Sequence, residues 1–450
     1  MIASRAVNVL GAMSRMSWIV FRCTAAFFHF WLWVPVLLLW PGLAARAGEG
    51  RRAAVLRHAA FVFRLTLQHL GATFIKVGQI LSTRPDILPR PVIDELANLQ
   101  DKVPPRPFSE IRTVVETDLG RSLETAFASF ERAPIASASV AQVHRAVLED
   151  GTVVAVKVRR PEVPRQVAFD ESVMVLLARL VSWIPTVHLL SPEATVHEFC
   201  FAVREQLDFR KEAANNRRFQ ENFKGDPDIR FPALFEPLCG EAVLTMEFVN
   251  GVKDTELDRL GLDTKRLARI GARAILHMVY SHGFVHADLH PGNILYQPDH
   301  KVVLIDLGMV GLLDDTRRNG LAATILALAR NDGRTVARFL YEGSPHKAVP
   351  DYAEYEADVC KLVASTQGKA IGDLEMSVLI GQVFDIARRH RLRADAAFTT
   401  VNIAMLVVEG LGKKLDPTFD MFTFVQPYLF EVLSRAPELL RQVVPEAAPT

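Results

Sequence analysis

Residues 286–293 read His-Ala-Asp-Leu-His-Pro-Gly-Asn, and residues 302–308 read Val-Val-Leu-Ile-Asp-Leu-Gly. The turn pair Asp299-His300 separates the two segments, which predicts a loop, a β-hairpin and a second loop, with one acid on each loop. Either segment alone is also typical of a solvated turn or of a strand end. The two together, with their acids 18 residues apart, favour a site that handles phosphate.

The side chains of these loops match the needs of phosphoryl transfer from ATP. That reaction requires a carboxylate that orients or deprotonates the acceptor, and oxygen ligands for Mg²⁺. We assign the first role to Asp288 and predict that Asn293 supplies a neutral metal ligand. Asp306 is predicted to bridge Mg²⁺ to the phosphates, because Mg²⁺ usually binds one or two carboxylates plus substrate oxygens. Gly308 is expected to let the backbone turn sharply behind it.

The composition of the chain bounds its class. With 450 residues, half of them hydrophobic, it is long enough for two or three domains. A formal net charge of +1 gives no support to nucleic-acid binding. The cysteines form no C-x-x-C pair and are far apart, at Cys23, Cys200, Cys239 and Cys360. This pattern suits a reducing cytosolic compartment and implies neither a disulfide scaffold nor a cysteine metal site.

Residues 1–50 differ from the rest of the chain. From Cys23 to Ala45 there are 23 residues without a formally charged side chain, and three tryptophans in this region suit a membrane interface. We predict a membrane anchor over about residues 18–45, long enough to span a bilayer with some tilt. An interfacial helix, a packed core helix and a signal peptide are the alternatives. Arginines flank both ends, so the positive-inside rule does not decide the orientation.

Residues 51–135 are predicted to be a helical extension, because apolar residues recur at every third or fourth position in residues 51–101. The segment 76–79, Lys-Val-Gly-Gln, lies inside it, and helical spacing places Lys76 and Gln79 on one face. On spacing alone, that face is a solvated polar edge. Beyond a proline-rich linker at 103–107, a short helix is predicted to be capped by Ser109 and stopped by Gly120.

Two β-rich runs around the turn Asp150-Gly151 predict a hairpin that carries Lys157 on its second strand. A lysine on such a strand is often an edge charge, but the acidic loops downstream favour a lysine that holds phosphates. The first strand lacks the glycine-rich loop that usually covers phosphates. The small residues that stand there instead, and allow close approach of a nucleotide, are Ala136, Ser137, Ala138 and Ser139.

A long charged helix is predicted from about 191 to 223. It carries Glu212, a candidate ion-pair partner of Lys157, although a solvated acidic face explains the same composition equally well. Strands are predicted at 231–236 and 243–248. In the hinge that follows, the backbone groups of Glu247 and Val249 are candidates to meet an adenine edge. Beyond residue 312 the chain is predicted to be mostly helical.

Four features follow one another along the chain: the Lys-Val-Gly-Gln segment at 76–79, an alanine-rich loop that ends in the Ala-Gln-Val-His of 141–144, Lys157 on its strand, and the segment 286–293. In these motifs and their order the chain resembles the UbiB/ABC1/ADCK (AarF) family of atypical kinases. The resemblance is close over roughly residues 60–310. The resemblance implies a bilobal α+β fold like that of protein kinases, with a helical N-terminal extension and a mostly helical C-lobe. It also implies ATP and Mg²⁺ as cofactors.

The same resemblance implies roles for individual residues. Lys76 and Gln79 form a K-x-G-Q motif that intrudes where a protein substrate would bind and so restricts ordinary protein phosphorylation. By this resemblance, Lys157 is the phosphate lysine and Glu212 is its ion-pair partner. Asp288 is the catalytic acid, and Asn293 and Asp306 are the two metal ligands. The chain departs from the family's E-x-D motif, because Gln206 stands at its first acid, with Glu205 beside it.

We therefore expect an anchor-bearing tail (1–50), the helical extension (51–135), a kinase-like N-lobe (136–250) and a kinase-like C-lobe (251–450). The predicted function is a membrane-associated, Mg²⁺-ATP-dependent kinase or ATPase that supports isoprenoid-quinone or other lipid metabolism, with its kinase domain on the cytoplasmic side. Its expected partners are ATP and membrane lipid or quinone-pathway components, and no nucleic acid.

Two other functions compete with this one. A small-molecule kinase of choline or aminoglycoside type is less favoured, because such enzymes need an open acceptor cleft and the K-x-G-Q segment fills it. A nucleotide-binding scaffold is less favoured because it has little chemical need for the full catalytic set.

Overall fold

A computed structural model describes residues 14–30, 32, 51–82, 88–99, 103–183, 192–344, 346–347, 349–366, 376–393 and 396–443. These residues form two compact units. The first contains the described residues up to Lys211 together with Leu234–Phe248; the second contains Glu212–Ala233 and the described residues from Val249 onward. Much of the membrane anchor predicted over residues 18–45 therefore lies outside the described residues.

The strands, in chain order, are β1 (Ser129–Phe130), β2 (Ala136–Ser137), β3 (Ala141–Val147), β4 (Val153–Arg159), β5 (Ile229–Arg230), β6 (Val243–Glu247), β7 (Phe284–His286), β8 (Ile294–Tyr296), β9 (Val302–Leu304), β10 (Val310–Leu312), β11 (His346–Lys347) and β12 (Leu392–Arg393). The helices are α1 (14–30), α2 (Arg51–Leu70), α3 (Ala72–Ser82), α4 (Arg90–Leu96), α5 (Phe108–Leu119), α6 (Leu123–Ala126), α7 (Val163–Val181), α8 (Pro192–Glu205), α9 (Phe209–Asn222), α10 (Thr264–Leu276), α11 (Asp315–Ala329), α12 (Gly333–Glu342), α13 (Tyr352–Ala364), α14 (Met376–Arg389), α15 (Ala396–Leu415), α16 (Met421–Ser434) and α17 (Pro437–Val443). Short 3₁₀ turns lie at Glu236–Leu238, Asp254–Leu260 and Pro291–Asn293, and a π-helical turn at His277–His282 extends α10.

An antiparallel sheet of five strands forms part of the first unit. β3 pairs with β1, β2 and β4, and β4 pairs with β6. Valines dominate β4 because β-branched side chains pack well on a pleated surface, and their buried side chains pack with those of α5. The predicted hairpin is confirmed, and Gly151 in its turn has the left-handed conformation (φ 84°).

The helical extension also belongs to the first unit, where α2 packs against α3 and α4. The N-terminal helix α1 is fixed to this unit by polar contacts. Arg15 pairs with the buried Asp170 of α7 at 2.8 Å, and the Trp18 indole donates to the carbonyl of His69 at 3.2 Å. Within the described residues, no helix is both long and apolar enough to cross a membrane.

The second unit contains the predicted catalytic stretch. β8 and β9 form the predicted hairpin, β9 also pairs in parallel with β5, and β7 pairs with β10. Helices α10 to α16 bury an extensive apolar core below these strands. The chain beyond residue 312 is mostly helical among the described residues, as predicted.

Three local predictions are wrong. The helix α5 begins after Pro107, so Ser109 lies in its first turn and is not its cap; Gly120 does end it, at φ 65°. The long helix of 191–223 is two helices, because Asp208 caps α9 by accepting from the main-chain N–H of Arg210. The strand predicted at 231–236 is replaced by β5, since Pro232 lacks the N–H that a strand interior needs.

Candidate active site

The two predicted loops are joined by main-chain hydrogen bonds in the second unit. The Ile305 N–H donates to the Asn293 carbonyl at 2.9 Å, and the Ala287 N–H donates to the Met309 carbonyl at 3.0 Å. Each loop follows a short strand of buried residues. The carboxyl ends of β7 and β9 therefore hold the two acidic loops side by side.

Asn293 and Asp288 are fixed to each other. The Asn293 amide Nδ2 donates to the carbonyl oxygen of Asp288 at 3.0 Å, and the main-chain N–H of Asn293 donates to the His290 carbonyl at 2.9 Å. Asn293 is buried, whereas Asp288 is half-buried. With Nδ2 committed, Oδ1 is the atom of that amide that can ligate a cation, which fits the predicted metal role.

His286 supports Asp288, a role that the sequence did not reveal. Its side chain is 1% exposed, and its Nδ1 accepts from the main-chain N–H of Asp288 at 3.1 Å. Burial lowers the pKa of His286, and the carboxylates of Asp288 and Asp306 act in the opposite direction. We infer that the ring is neutral, with Nδ1 unprotonated, and that it orients the Asp288 backbone.

Asp306 makes the sharp turn that we assigned to Gly308. Its φ is +58°, whereas Gly308 is absent from the glycines with positive φ. Such a conformation is costly for a residue other than glycine, and it is tolerated best by Asp and Asn. The Asp306 residue is exposed, which suits a metal ligand that must also reach a substrate.

Gly308 lies near two carboxylates, and a side chain there would make only ordinary van der Waals contacts with them. A Cβ built on it would lie 3.5 Å from Glu212 Oε2 and 3.6 Å from Asp306 Oδ1. The amide of Asn215, one turn after Glu212 on α9, donates to the Leu307 carbonyl at 2.9 Å. The structure thus brings Glu212 and Asp306 together.

Glu212 is 5% exposed, so the alternative of a solvated acidic face is wrong. It belongs to the second unit and Lys157 to the first, and their pairing stays a prediction. Lys157 lies on β4, which has strands on both sides, so it is not an edge charge. Its ammonium lies 5.4 Å from the centroid of the Phe209 ring, a cation–π contact.

The alanine-rich loop is held by Arg160, another residue that the sequence did not reveal. Arg160 is 3% exposed and donates to the Ala138 carbonyl at 2.9 Å and to Ser137 Oγ at 2.8 Å. Ala136 is exposed and Ser137 half-buried, while Ser139 is buried. A buried guanidinium therefore fixes the segment that we predict to cover the nucleotide.

The Gln142 and His144 side chains of the same motif are structural. Gln142 Oε1 accepts from the Arg106 N–H at 2.7 Å, and its Nε2 lies 3.0 Å from His144 Nε2. His144 Nδ1 lies 2.8 Å from the Glu131 carbonyl and so carries the proton, and burial lowers the pKa of the ring. This buried chain of hydrogen bonds ties β3 to the linker.

Lys76 and Gln79 lie on α3, both half-buried, one helical turn apart as predicted. Between them Gly78 is buried, and a Cβ there would lie 2.4 Å from Leu99 Cδ1. Near Gln206, which replaces the first acid of the E-x-D motif, Glu205 contacts Lys211. Asp208, the second acid, pairs with Arg210 at 2.8 Å, and this pairing lowers the pKa of Asp208.

The hinge residues belong to different units. Glu247 ends β6 opposite Val154, and the boundary between the units falls between Phe248 and Val249. The predicted contacts of Glu247 and Val249 with adenine stay predictions, as do the other nucleotide contacts.

Comparisons with known proteins cover most of the chain. The model of the ABC1 atypical kinase-like domain matches residues 98–340, and that of the UbiB helical domain matches residues 359–420. The probable protein kinase UbiB of Azotobacter vinelandii is 37% identical over 404 residues, which cover 87% of this chain and 73% of that protein. The probable protein kinase UbiB of Aeromonas hydrophila is 33% identical over 425 residues, covering 91% and 78%.

A solved structure is also similar. The complex of Rv3197 with erythromycin, from Mycobacterium tuberculosis, has a TM-score of 0.51 and 24% identity, covering 79% of this chain and 90% of that one. At this identity the likeness concerns the fold alone. With the ABC1 match, it confirms the predicted kinase-like α+β fold.

Proposed function

Because the chain belongs to the UbiB family of ABC1 atypical kinase-like proteins, we propose that it is a membrane-associated enzyme that cleaves the γ-phosphoryl group of Mg²⁺-ATP. The reaction would be ATP hydrolysis or transfer to a non-protein acceptor, in support of isoprenoid-quinone or other lipid metabolism. The observation that carries the proposal is the pair of joined loops, with Asn293 bound to Asp288 and Asp306 exposed at a left-handed turn.

The chain's own residues have separate tasks in this proposal. Asp288, oriented by His286 and Asn293, accepts or orients the proton of the attacking hydroxyl or water. Asn293 Oδ1 and the Asp306 carboxylate would hold Mg²⁺, which when bound neutralises charge on the phosphates. Lys157 is assigned to the phosphates and the alanine-rich loop to the nucleotide.

The exposed apolar surface of the first unit supports membrane association. Thirteen of the 17 exposed large hydrophobic side chains among the described residues belong to this unit, including Phe28 on α1 and Trp183 beyond α7. Five of them lie on α1, and exposed apolar side chains concentrated on one helix are typical of a membrane or protein contact. We propose that this unit meets the lipid, with the kinase domain on the cytoplasmic side, where ATP is available.

The test is Mg²⁺-dependent ATP hydrolysis by the full chain, with and without anionic liposomes and phenolic quinone precursors. Asp306→Asn is the informative variant, because asparagine tolerates the left-handed backbone and only the charge is lost. We expect it to lower turnover about 100-fold or more. Asp299→Asn, at the exposed hairpin turn, is the matched control and should keep full activity.

Two results would decide against this function. Equal turnover by the wild type and Asp306→Asn would show that Asp306 has no role in ATP hydrolysis. Nucleotide binding without turnover under any of these conditions would favour the scaffold. Co-flotation with liposomes tests the membrane proposal separately.

A further inference from the structure

A cavity of about 270 Å³ lies in the second unit among α11, α12, α13 and α14. A smaller cavity of about 70 Å³ adjoins it. The side chains that line both are Leu321, Thr324, Leu340, Val383 and Phe384. The described residues that line the larger cavity include no residue of the candidate active site.

The wall of the larger cavity is mostly apolar, and two hydroxyls in it are paired within the protein. Val359 and Phe384 are almost fully buried. The Tyr355 hydroxyl donates to the Ala337 carbonyl at 3.0 Å, and Thr324 Oγ1 donates to the Gly320 carbonyl at 2.7 Å. An apolar wall whose interior hydroxyls are paired within the protein favours an apolar occupant over water.

The rim of the cavity is polar and exposed, at Thr316, Arg317 and Glu342. The Arg317 guanidinium is already paired with Asp314 at 2.7 Å. The rim thus offers the Thr316 hydroxyl and the Glu342 carboxylate, while the charge of Arg317 is neutralised by Asp314. It has no net positive charge that would attract an acidic head group. This combination of an apolar interior and a mixed rim suits an amphiphile with an uncharged head.

We propose that this cavity binds a single hydrocarbon chain, the tail of an amphiphile whose uncharged polar head stays at the rim. An engineered cavity of about 150 Å³ holds benzene, so the volume here accommodates about ten carbon atoms. Straight alkyl and prenyl chains share this chemistry. Binding requires neither ATP nor the candidate active site, so the proposal stands or fails independently of the proposed function.

Gly320 provides the test, because it lines the cavity and a Cβ built on it meets no heavy atom within 4 Å. Gly320→Leu should obstruct the cavity while leaving α11 intact, since leucine is the better helix former. Gly410→Leu on α15 is the matched control: Gly410 is an exposed helical glycine, also with nothing within 4 Å. Gly320→Met is a second obstructing variant with a flexible side chain.

The measurement is titration calorimetry of the full chain with 1-decanol, geraniol and decanoate. We expect saturable binding of 1-decanol or geraniol by the wild type and Gly410→Leu, and at least a tenfold loss of affinity in either Gly320 variant that folds. Tighter geraniol binding identifies a prenyl chain, and tighter decanol binding a straight one. Unchanged affinity in the Gly320 variants, absence of saturable binding, or tighter binding of decanoate would overturn the proposal.

Discussion

Arg160 gives the sharpest prediction about how the fold serves the nucleotide loop. Its guanidinium donates to Ala138 O at 2.9 Å, to Pro104 O at 2.9 Å and to Ser137 Oγ at 2.8 Å. The five N–H groups of arginine form a rigid fork that the single ammonium of lysine cannot reproduce. Arg160→Lys should therefore lose at least two of these three hydrogen bonds, and the longer one to the Val103 carbonyl at 3.4 Å, while it keeps the charge.

The free energy that the loop loses in Arg160→Lys follows from the strength of the lost hydrogen bonds and from the burial of their donor and acceptors. A hydrogen bond that involves a charged group contributes about 1.5–3 kcal/mol, and the acceptors at Ser137 and Ala138 are only half-buried. Two such bonds sum to about 3–6 kcal/mol, and the partial exposure of the acceptors reduces the expected local loss to about 2–4 kcal/mol. Because opening of a loop exposes its amides, this corresponds to exchange that is about 30-fold to 1,000-fold faster.

Amide hydrogen exchange measures this directly at Ala138, whose N–H donates to the Ala141 carbonyl, and at Ile135, whose N–H donates to the Val143 carbonyl. The matched control is Arg159→Lys, because the neighbouring Arg159 contacts Leu207 and Glu241 instead. Affinity for ATP should fall in Arg160→Lys only. Equal protection of Ala138 in the wild type and Arg160→Lys would refute the reasoning.

Two further predictions concern the first unit. In Gly78→Ala the new Cβ would lie 2.4 Å from Leu99 Cδ1 and 2.7 Å from Leu67 Cδ1, so we expect about 1–3 kcal/mol of destabilisation from overpacking. Urea unfolding measures it, with Gly410→Ala as the control, and a stabilised variant would contradict it. The second concerns pH: burial lowers the pKa of His144 below its ordinary value, so the fold prefers the neutral ring. Its contribution to stability is complete above about pH 6.5 and is lost as the pH falls through the folded pKa. The melting temperature should fall between pH 7 and pH 5, and by less in His144→Asn, which cannot titrate.

Much of the fold was predictable because its signals are local. The hairpin around Gly151 and the hairpin of β8 and β9 follow from short apolar runs separated by turn residues. The wrong boundaries arose where one residue outweighed the periodicity. Asp208 began a new helix by capping it, and Pro232 removed a hydrogen-bond donor from a predicted strand.

The sequence by itself determined the family, the kinase-like fold and the candidate residues, because motifs of fixed spacing and apolar periodicity can be recognised without knowing which segments meet. Only the tertiary structure decided that Glu212 lies beside Asp306, that Asp306 makes the left-handed turn, and that Arg160 holds the alanine-rich loop. The cavity among α11 to α14 was equally invisible in the sequence. These features join residues that are far apart along the chain, and packing, not local propensity, sets their distances.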